Sequence, residues 1–276
     1  MKNLKDKYVL ITGAAGGIGS VLAKQLLQKG CHLILVDLQE EKLNQLQSEL
    51  ESSNENASIE VFVIDLTKEF ELEQLVQSIT HLDILINNAG IVYGESFNSS
   101  EWALINKTLS VNLLATMKLT HLLLPLLMKN KESHITNMAS GAGLLGPGGM
   151  VAYGASKHGL VGFSEALRAE LKEYNIGVSV ICPPFVKTGL ITNNQSSKNA
   201  KDLERLNKLD ALVQKDGITP EKVASSTIKA IQRNRAIVKI GALVKGALII
   251  KFFFPRLVGK MNHKNYLKMK TKGQIK

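Results

Sequence analysis

The stretch Thr12-Gly13-Ala14-Ala15-Gly16-Gly17-Ile18-Gly19 decides the fold. An apolar run, Tyr8-Val9-Leu10-Ile11, leads into it. A helical pattern through Val21, Leu22, Leu26 and Leu27 follows and ends at Gly30. Strand, glycine turn and helix in that order form the context in which such a turn cradles a pyrophosphate. Gly13 permits the tight turn, Gly17 lets backbone approach the phosphates, and Gly19 lets the helix pack closely on the sheet. The phosphates would sit on the backbone at Ile18, at the positive end of the helix. Taken alone, the motif could also be a glycine-rich turn with no ligand.

The next apolar run, His32-Leu33-Ile34-Leu35-Val36, ends in Asp37. A carboxylate at that strand end suits the ribose diol of NAD and repels the 2′-phosphate of NADP. No Arg or Lys stands among Ala14, Ala15, Leu38 and Gln39, where a phosphate would need a counter-charge. The expected cofactor is therefore NAD, with NADP second. Asp37 also reads as a helix cap before Glu40 and Glu41, a role compatible with ribose binding.

Tyr153 and Lys157 are four residues apart, which places them on one helix face, and Ser140 lies thirteen positions upstream. An ammonium beside a phenol favours the phenolate and is expected to lower the tyrosine pKa from about 10. A phenolate can take the proton of an alcohol as hydride leaves the carbon, and a serine hydroxyl can support the developing charge.

Together with Asn87-Asn88-Ala89-Gly90, these motifs resemble the short-chain dehydrogenase/reductase family in order and spacing, from about residue 5 to 240. The resemblance implies roles. Tyr153 would be the acid/base and Lys157 would hold the nicotinamide ribose. Ser140 would bond the reacting oxygen, and Asn112 would position a proton-relaying water. Asp65 and Leu66 would meet the adenine, Asn88 or Ala89 the adjoining ribose, and the Val186 backbone with the Thr188 hydroxyl the carboxamide. Pro184 stands where the family usually has glycine, so the local path there is expected to differ. The resemblance also implies a homodimer or homotetramer, paired through the long helices near 101–129 and 152–174.

Repeating strand–helix units predict an α/β, doubly wound parallel sheet, one Rossmann-fold catalytic domain over 1–240. Helices are expected near 18–29, 39–52, 69–79, 101–129, 152–174 and 220–233, with strands near 8–12, 32–37, 59–64, 82–86, 133–138, 177–182 and 236–240. Cys31 and Cys182 fall in or beside strands and read as buried thiols, which suits a reducing cytoplasm. No cysteine/histidine cluster has metal spacing, so no metal is expected. His158 reads as structural. The N-terminal segment does not read as a signal peptide.

Two regions stand apart. The resemblance implies that a polar segment over about 188–218 closes over the substrate as a lid; the other reading is a mobile surface excursion. From residue 222 to 276 there are 14 Lys and Arg and no Asp or Glu, which leaves 20 basic against 24 acidic residues in 1–221. Apolar clusters, including Phe252-Phe253-Phe254, interrupt that charge over 241–276. Peripheral contact with an anionic membrane, a pocket wall and a subunit contact are the readings. The stretch 241–254 is too short to span a bilayer. Nucleic acid is disfavoured because no reading motif accompanies the charge.

The expected activity is hydride transfer between NAD(H) and a secondary alcohol or ketone, read as apolar: lipid-like (long-chain), isoprenoid or steroid-like. The alternatives are an NAD(H)-binding scaffold or sensor docked to membrane without turnover, and an NADPH-dependent ketone or acyl reductase.

Overall fold

A computed structural model describes residues 1–54, 58–189, 213–273 and, singly, 204, 207, 210, 211 and 275, with the Leu243 side chain left out. The chain forms a seven-stranded parallel sheet in the order β3-β2-β1-β4-β5-β6-β7. The strands are β1 (Tyr8–Thr12), β2 (His32–Asp37), β3 (Ile59–Val63), β4 (Ile84–Asn87), β5 (Ser133–Met138), β6 (Ile176–Cys182) and β7 (Ile237–Lys239). Helices α1 (Gly17–Leu27), α2 (Glu40–Ser53) and α3 (Glu69–Ser78) alternate with the first strands. After β4 come α4 (Trp102–Leu109), a π-helical turn (Ser110–Leu114) and α5 (Ala115–Leu127). The short α6 (Ala142–Leu145) and the long α7 (Val151–Glu170) follow β5. Helix α8 (Pro220–Gln232) precedes β7, and α9 (Ala242–Phe253) and α10 (Pro255–Thr271) end the chain.

Parallel strands covered on both faces must be apolar almost throughout. In β1, Val9 and Ile11 pack with Leu22, Leu26, Leu43, Val223 and Ile228 on one face. Leu10 packs with Leu72, Leu75, Leu119, Leu123 and Leu127 on the other. Because β1 pairs with both β2 and β4, the strand order reverses beside it. That reversal opens a crevice at the carboxyl ends of the strands, where open α/β sheets bind ligands.

The doubly wound parallel sheet is as expected, and each expected strand lies within a few residues of an observed one. The helix expected over 101–129 is continuous but carries the π-turn at its centre. Most of the expected lid lies outside the described residues. Of its flanks, Val186 forms a bridge with Ile218. Cys31 and Cys182 are free, buried thiols. Among the described residues one helical stretch, Trp102–Leu127, is long and apolar enough to cross a membrane by length and composition, and its α5 part packs on the sheet through Leu119, Leu123 and Leu127.

His134 on β5 is buried, with Nε2 2.9 Å from the Ser179 hydroxyl of β6. Burial pushes its pKa from 6.5 down to about 3. The unfolded chain therefore binds a proton that the native one refuses, and stability falls as pH drops from about 6.5 toward 3. A His134→Gln variant should lose less stability than the wild type over that window, by on the order of 1–3 kcal/mol, in urea unfolding at a series of pH values. Parallel pH dependences would contradict this.

Candidate active site

The glycine turn is built by backbone contact. Gly13 adopts a left-handed φ of 64°, and a Cβ there would lie 2.8 Å from the Ala89 Cα. A Cβ on Gly19 would lie 2.1 Å from the Gly13 carbonyl oxygen. One on Gly17 would lie 2.8 Å from the Thr188 Cβ, so the missing side chain admits the segment after β6 over the helix start. The first N–H groups of a helix lack intrahelical partners. Here the N-terminus of α1 has no side-chain cap and no acidic residue in its first turn. It presents Gly17, Ile18 and Gly19 as an uncompensated positive end, which fits a pyrophosphate.

Asp37 closes β2. Its Oδ2 accepts the Ala15 N–H at 2.9 Å and its Oδ1 the Gln39 N–H at 3.0 Å. The carboxylate thus bridges the glycine turn and the start of α2, and it is not the side-chain cap of that helix. A carboxylate has about four acceptor sites, so two remain for a diol. The Ile64 N–H donates to the Asp37 carbonyl, which brings Asp65 and Leu66 to the neighbouring strand end. Asp65 Oδ1 accepts the Thr67 N–H and hydroxyl, and Leu66 packs on the core.

Asn88 braces the turn. Its Nδ2 donates to the Thr12 and Gly13 carbonyls at 3.1 and 3.0 Å, and the N–H groups of Asn88 and Ala89 both donate to the Thr12 hydroxyl. Both side-chain protons are used on protein, so a ribose contact from Asn88 falls to its acceptor oxygens. After β6, Thr188 Oγ1 lies 3.4 Å from the Val186 carbonyl. With Thr188 against Gly17, residues Val186 and Thr188 flank the same crevice. Despite Pro184, no peptide bond is cis among the described residues.

The acid/base group assembles at the ends of β4 and β5 and on α7. The Tyr153 phenol hydrogen-bonds with Ser140, the second residue after β5. Lys157 Nζ lies 5.8 Å from the Tyr153 ring centroid and donates to the Met138 carbonyl at 2.8 Å. Asn112, in the π-turn, accepts the Ile91 N–H at 2.8 Å and donates to the Ile91 carbonyl at 2.9 Å and the Ser156 hydroxyl at 3.1 Å. A Cβ on Gly90 would lie 3.2 Å from Asn112 Oδ1 and 3.4 Å from Lys157 Nζ, so Gly90 lets the two converge. The four expected catalytic residues therefore meet. Ser156, Gly90 and the Met138 carbonyl join them without having been singled out from sequence. The π-turn is a frequent device at functional sites, and the sequence carries no sign of it. The His158 Nδ1 lies 2.9 Å from the Gly154 carbonyl, within its own helix.

One expectation needs correction. Burial pushes the Tyr153 phenol above its ordinary pKa, and the Ser140 hydrogen bond is what works against that rise. Lys157 is itself pushed down by burial to about 8. The ammonium is drawn to the Met138 carbonyl, and desolvation outweighs its pull on the phenol. Strongly perturbed groups meeting in a crevice fit an acid/base site.

A family model described as short chain dehydrogenase matches residues 7–200. The 17-beta-hydroxysteroid dehydrogenase 13 of Rattus norvegicus is 30% identical over 266 residues, 94% of this chain and 83% of that protein. A short chain dehydrogenase/reductase from Burkholderia phymatum, solved with NAD, is 25% identical with a TM-score of 0.84 over 93% of this chain and 96% of that one. A short-chain dehydrogenase from Sphingobium yanoikuyae, solved with NADPH, shares the fold at 22% identity and a TM-score of 0.76 over 91% of this chain and 95% of that one. With residues 7–200 matched by the family model and 94% of its length by a relative at 30% identity, the chain belongs to the short-chain dehydrogenase family.

Proposed function

We propose that the protein transfers hydride between NAD(H) and an apolar secondary alcohol or its ketone. The observation that carries this reading is the convergence of Ser140, Tyr153, Lys157 and Asn112 in the crevice where the bare N-terminus of α1 and Asp37 also meet. Bound there, the nicotinamide would supply the hydride acceptor or donor.

The residues of this chain do the rest. The Ser140 hydroxyl, which has one proton to give, bonds the Tyr153 oxygen in the free site and so favours the phenolate, and turns to the reacting oxygen when substrate is bound. Tyr153 takes the hydroxyl proton of an alcohol, or gives one to a ketone oxygen in reverse. Lys157 and Asn112 line the path by which that proton leaves toward solvent. Val186 and Thr188, beside Gly17, orient the nicotinamide end. Asp37 takes the adenosine ribose diol, with Asp65, Leu66 and Asn88 around the adenine end. This arrangement favours NAD over NADP because a 2′-phosphate would meet a carboxylate already held in place by two backbone donors.

Several surfaces accord with the rest of the reading. Trp102, Leu114 and Met117 are exposed along the α4–α5 helix and suit a homodimer or homotetramer contact. Two free buried thiols suit a reducing cytoplasm. The similarity to a hydroxysteroid dehydrogenase supports a steroid-like or other lipid-like substrate. A membrane contact through residues 241–276 accords with such a substrate.

Fluorescence titration should show NADH binding well ahead of NADPH, and Asp37→Ala should weaken NADH about tenfold or more while narrowing the gap. Equal or NADPH-favoured binding by the wild type would overturn the cofactor assignment. Ser140→Ala should slow alcohol oxidation on the order of a hundredfold and move the pH at which the rate rises to higher values, because the hydrogen bond that lowers the phenol pKa is gone. A pH profile that stays in place would contradict the role given to Ser140.

A further inference from the structure

Helix α9 leaves its largest apolar side chains outside. Its inner face carries Val244, 4% exposed, and Lys251, whose Nζ donates to the Leu144 carbonyl at 2.7 Å. At 100° per residue these two share one side of the helix. Ile249 and Phe253 lie on the opposite side, 61% and 66% exposed, and Phe252 lies on the flank between, 80% exposed. An ordinary surface helix would bury the phenylalanines and expose the lysine. Phe254 and Leu257, at the corner between α9 and α10, continue the apolar surface at 62% and 49% exposure.

Charge accompanies this surface. Lys239 and Lys245 line one open depression together with Leu248, Ile249, Phe252 and Phe253. On α10, Lys260, Lys264 and Lys268 recur every four residues on an exposed side, opposite the stripe of Asn262 and Tyr266 that faces the protein. No Asp or Glu lies anywhere in 222–276. Exposed aromatic side chains beside Lys239 and Lys245, with a further row of exposed lysines on α10, match a surface that is apolar below and anionic at its boundary. A protein partner would need a complementary acidic rim around an apolar pocket. A bilayer supplies both layers without shape complementarity, and lysine stems can reach up to the headgroups.

The two helices are fastened beside the candidate active site. A Cβ on Gly141, the residue after Ser140, would lie 3.2 Å from Val244. Asn262 bonds the Gly148 N–H and the Gly146 carbonyl at 2.9 and 2.7 Å, and the Tyr266 hydroxyl lies 2.9 Å from Ser96 Oγ.

We propose that the outer face of α9 and the corner leading into α10 dock on an anionic phospholipid bilayer, with Phe252 and Phe253 in the acyl region and the surrounding lysines at the headgroups. Docked so, α9 alone stands between the membrane and the start of the loop from Ser140 to Tyr153. That the bilayer then delivers an apolar substrate rests on the function proposed above; the docking itself does not.

The test is flotation of the full chain with phosphatidylcholine vesicles, plain or with about one-quarter phosphatidylglycerol. Binding should be about tenfold stronger to the anionic vesicles and should weaken with salt. It should fall about tenfold in Phe252→Ser/Phe253→Ser, whose thermal midpoint should match the wild type because both side chains are exposed. Lys260→Glu/Lys264→Glu should lose the preference for anionic lipid. Equal flotation with both vesicles, or flotation unchanged in the phenylalanine variant, would overturn the proposal. So would a wild-type dimer that the phenylalanine variant converts to monomer while vesicles capture neither, since the patch would then be a subunit contact. Because flotation needs neither cofactor nor turnover, its failure is separable from failure of the proposed activity.

Discussion

At the carboxyl end of β1 three pieces of backbone approach more closely than side chains would permit. Gly19 of α1 lies against the Gly13 carbonyl, Gly13 lies against Ala89 after β4, and Gly17 lies against Thr188 after β6. Thr12 and Asn88 lock the approach with hydrogen bonds across β1 and β4. That contact fixes the start of α1 at the point where the strand order reverses, and so creates a crevice with a positive floor. Everything assigned to cofactor binding hangs on it. Overpacking such a site by one methyl group costs about 1–3 kcal/mol and would also tilt the helix end.

The acid/base group depends on a different balance. Burying a phenol and an ammonium together disfavours the charged form of each, and the structure shows both consequences at Tyr153 and Lys157. Hydrogen bonds oppose the desolvation: Ser140 at the phenol and the Met138 carbonyl at the ammonium. Gly90 and the π-turn bring Asn112 into the same group. The site is therefore poised by the ends of β4 and β5 as much as by the Tyr153 and Lys157 pair itself.

Much of this was legible in the sequence because the features that carry it are local. The Thr12–Gly19 turn, the acid after β2 and the one-turn spacing of Tyr153 and Lys157 need no knowledge of distant contacts. What could not be read were effects of convergence. The sign of the Tyr153 shift depends on how deeply the folded chain buries the phenol. The Asn88 side chain is spent on two carbonyls that only the fold brings near. The π-turn at Ser110–Leu114 is a change of hydrogen-bond register that residue types do not announce. The basic tail showed its charge and its phenylalanines in sequence, but not that α9 leaves Phe252 and Phe253 outside and turns Lys251 inward.

In the proposed reading these parts form one device: a crevice for a dinucleotide, a tyrosine that transfers the proton, and a terminal helix pair fastened beside Gly141 and Gly148. The central claim is that Tyr153 moves the proton while hydride crosses. The most direct measurement is NAD+-dependent oxidation of a panel of apolar secondary alcohols, including hydroxysteroids, by the wild type and by Tyr153→Phe, with NADH affinity measured on both. The account predicts turnover by the wild type and a loss of about a hundredfold or more in the variant at unchanged NADH affinity. Tight NADH binding without turnover across the panel, or turnover that survives the loss of the Tyr153 hydroxyl, would contradict it.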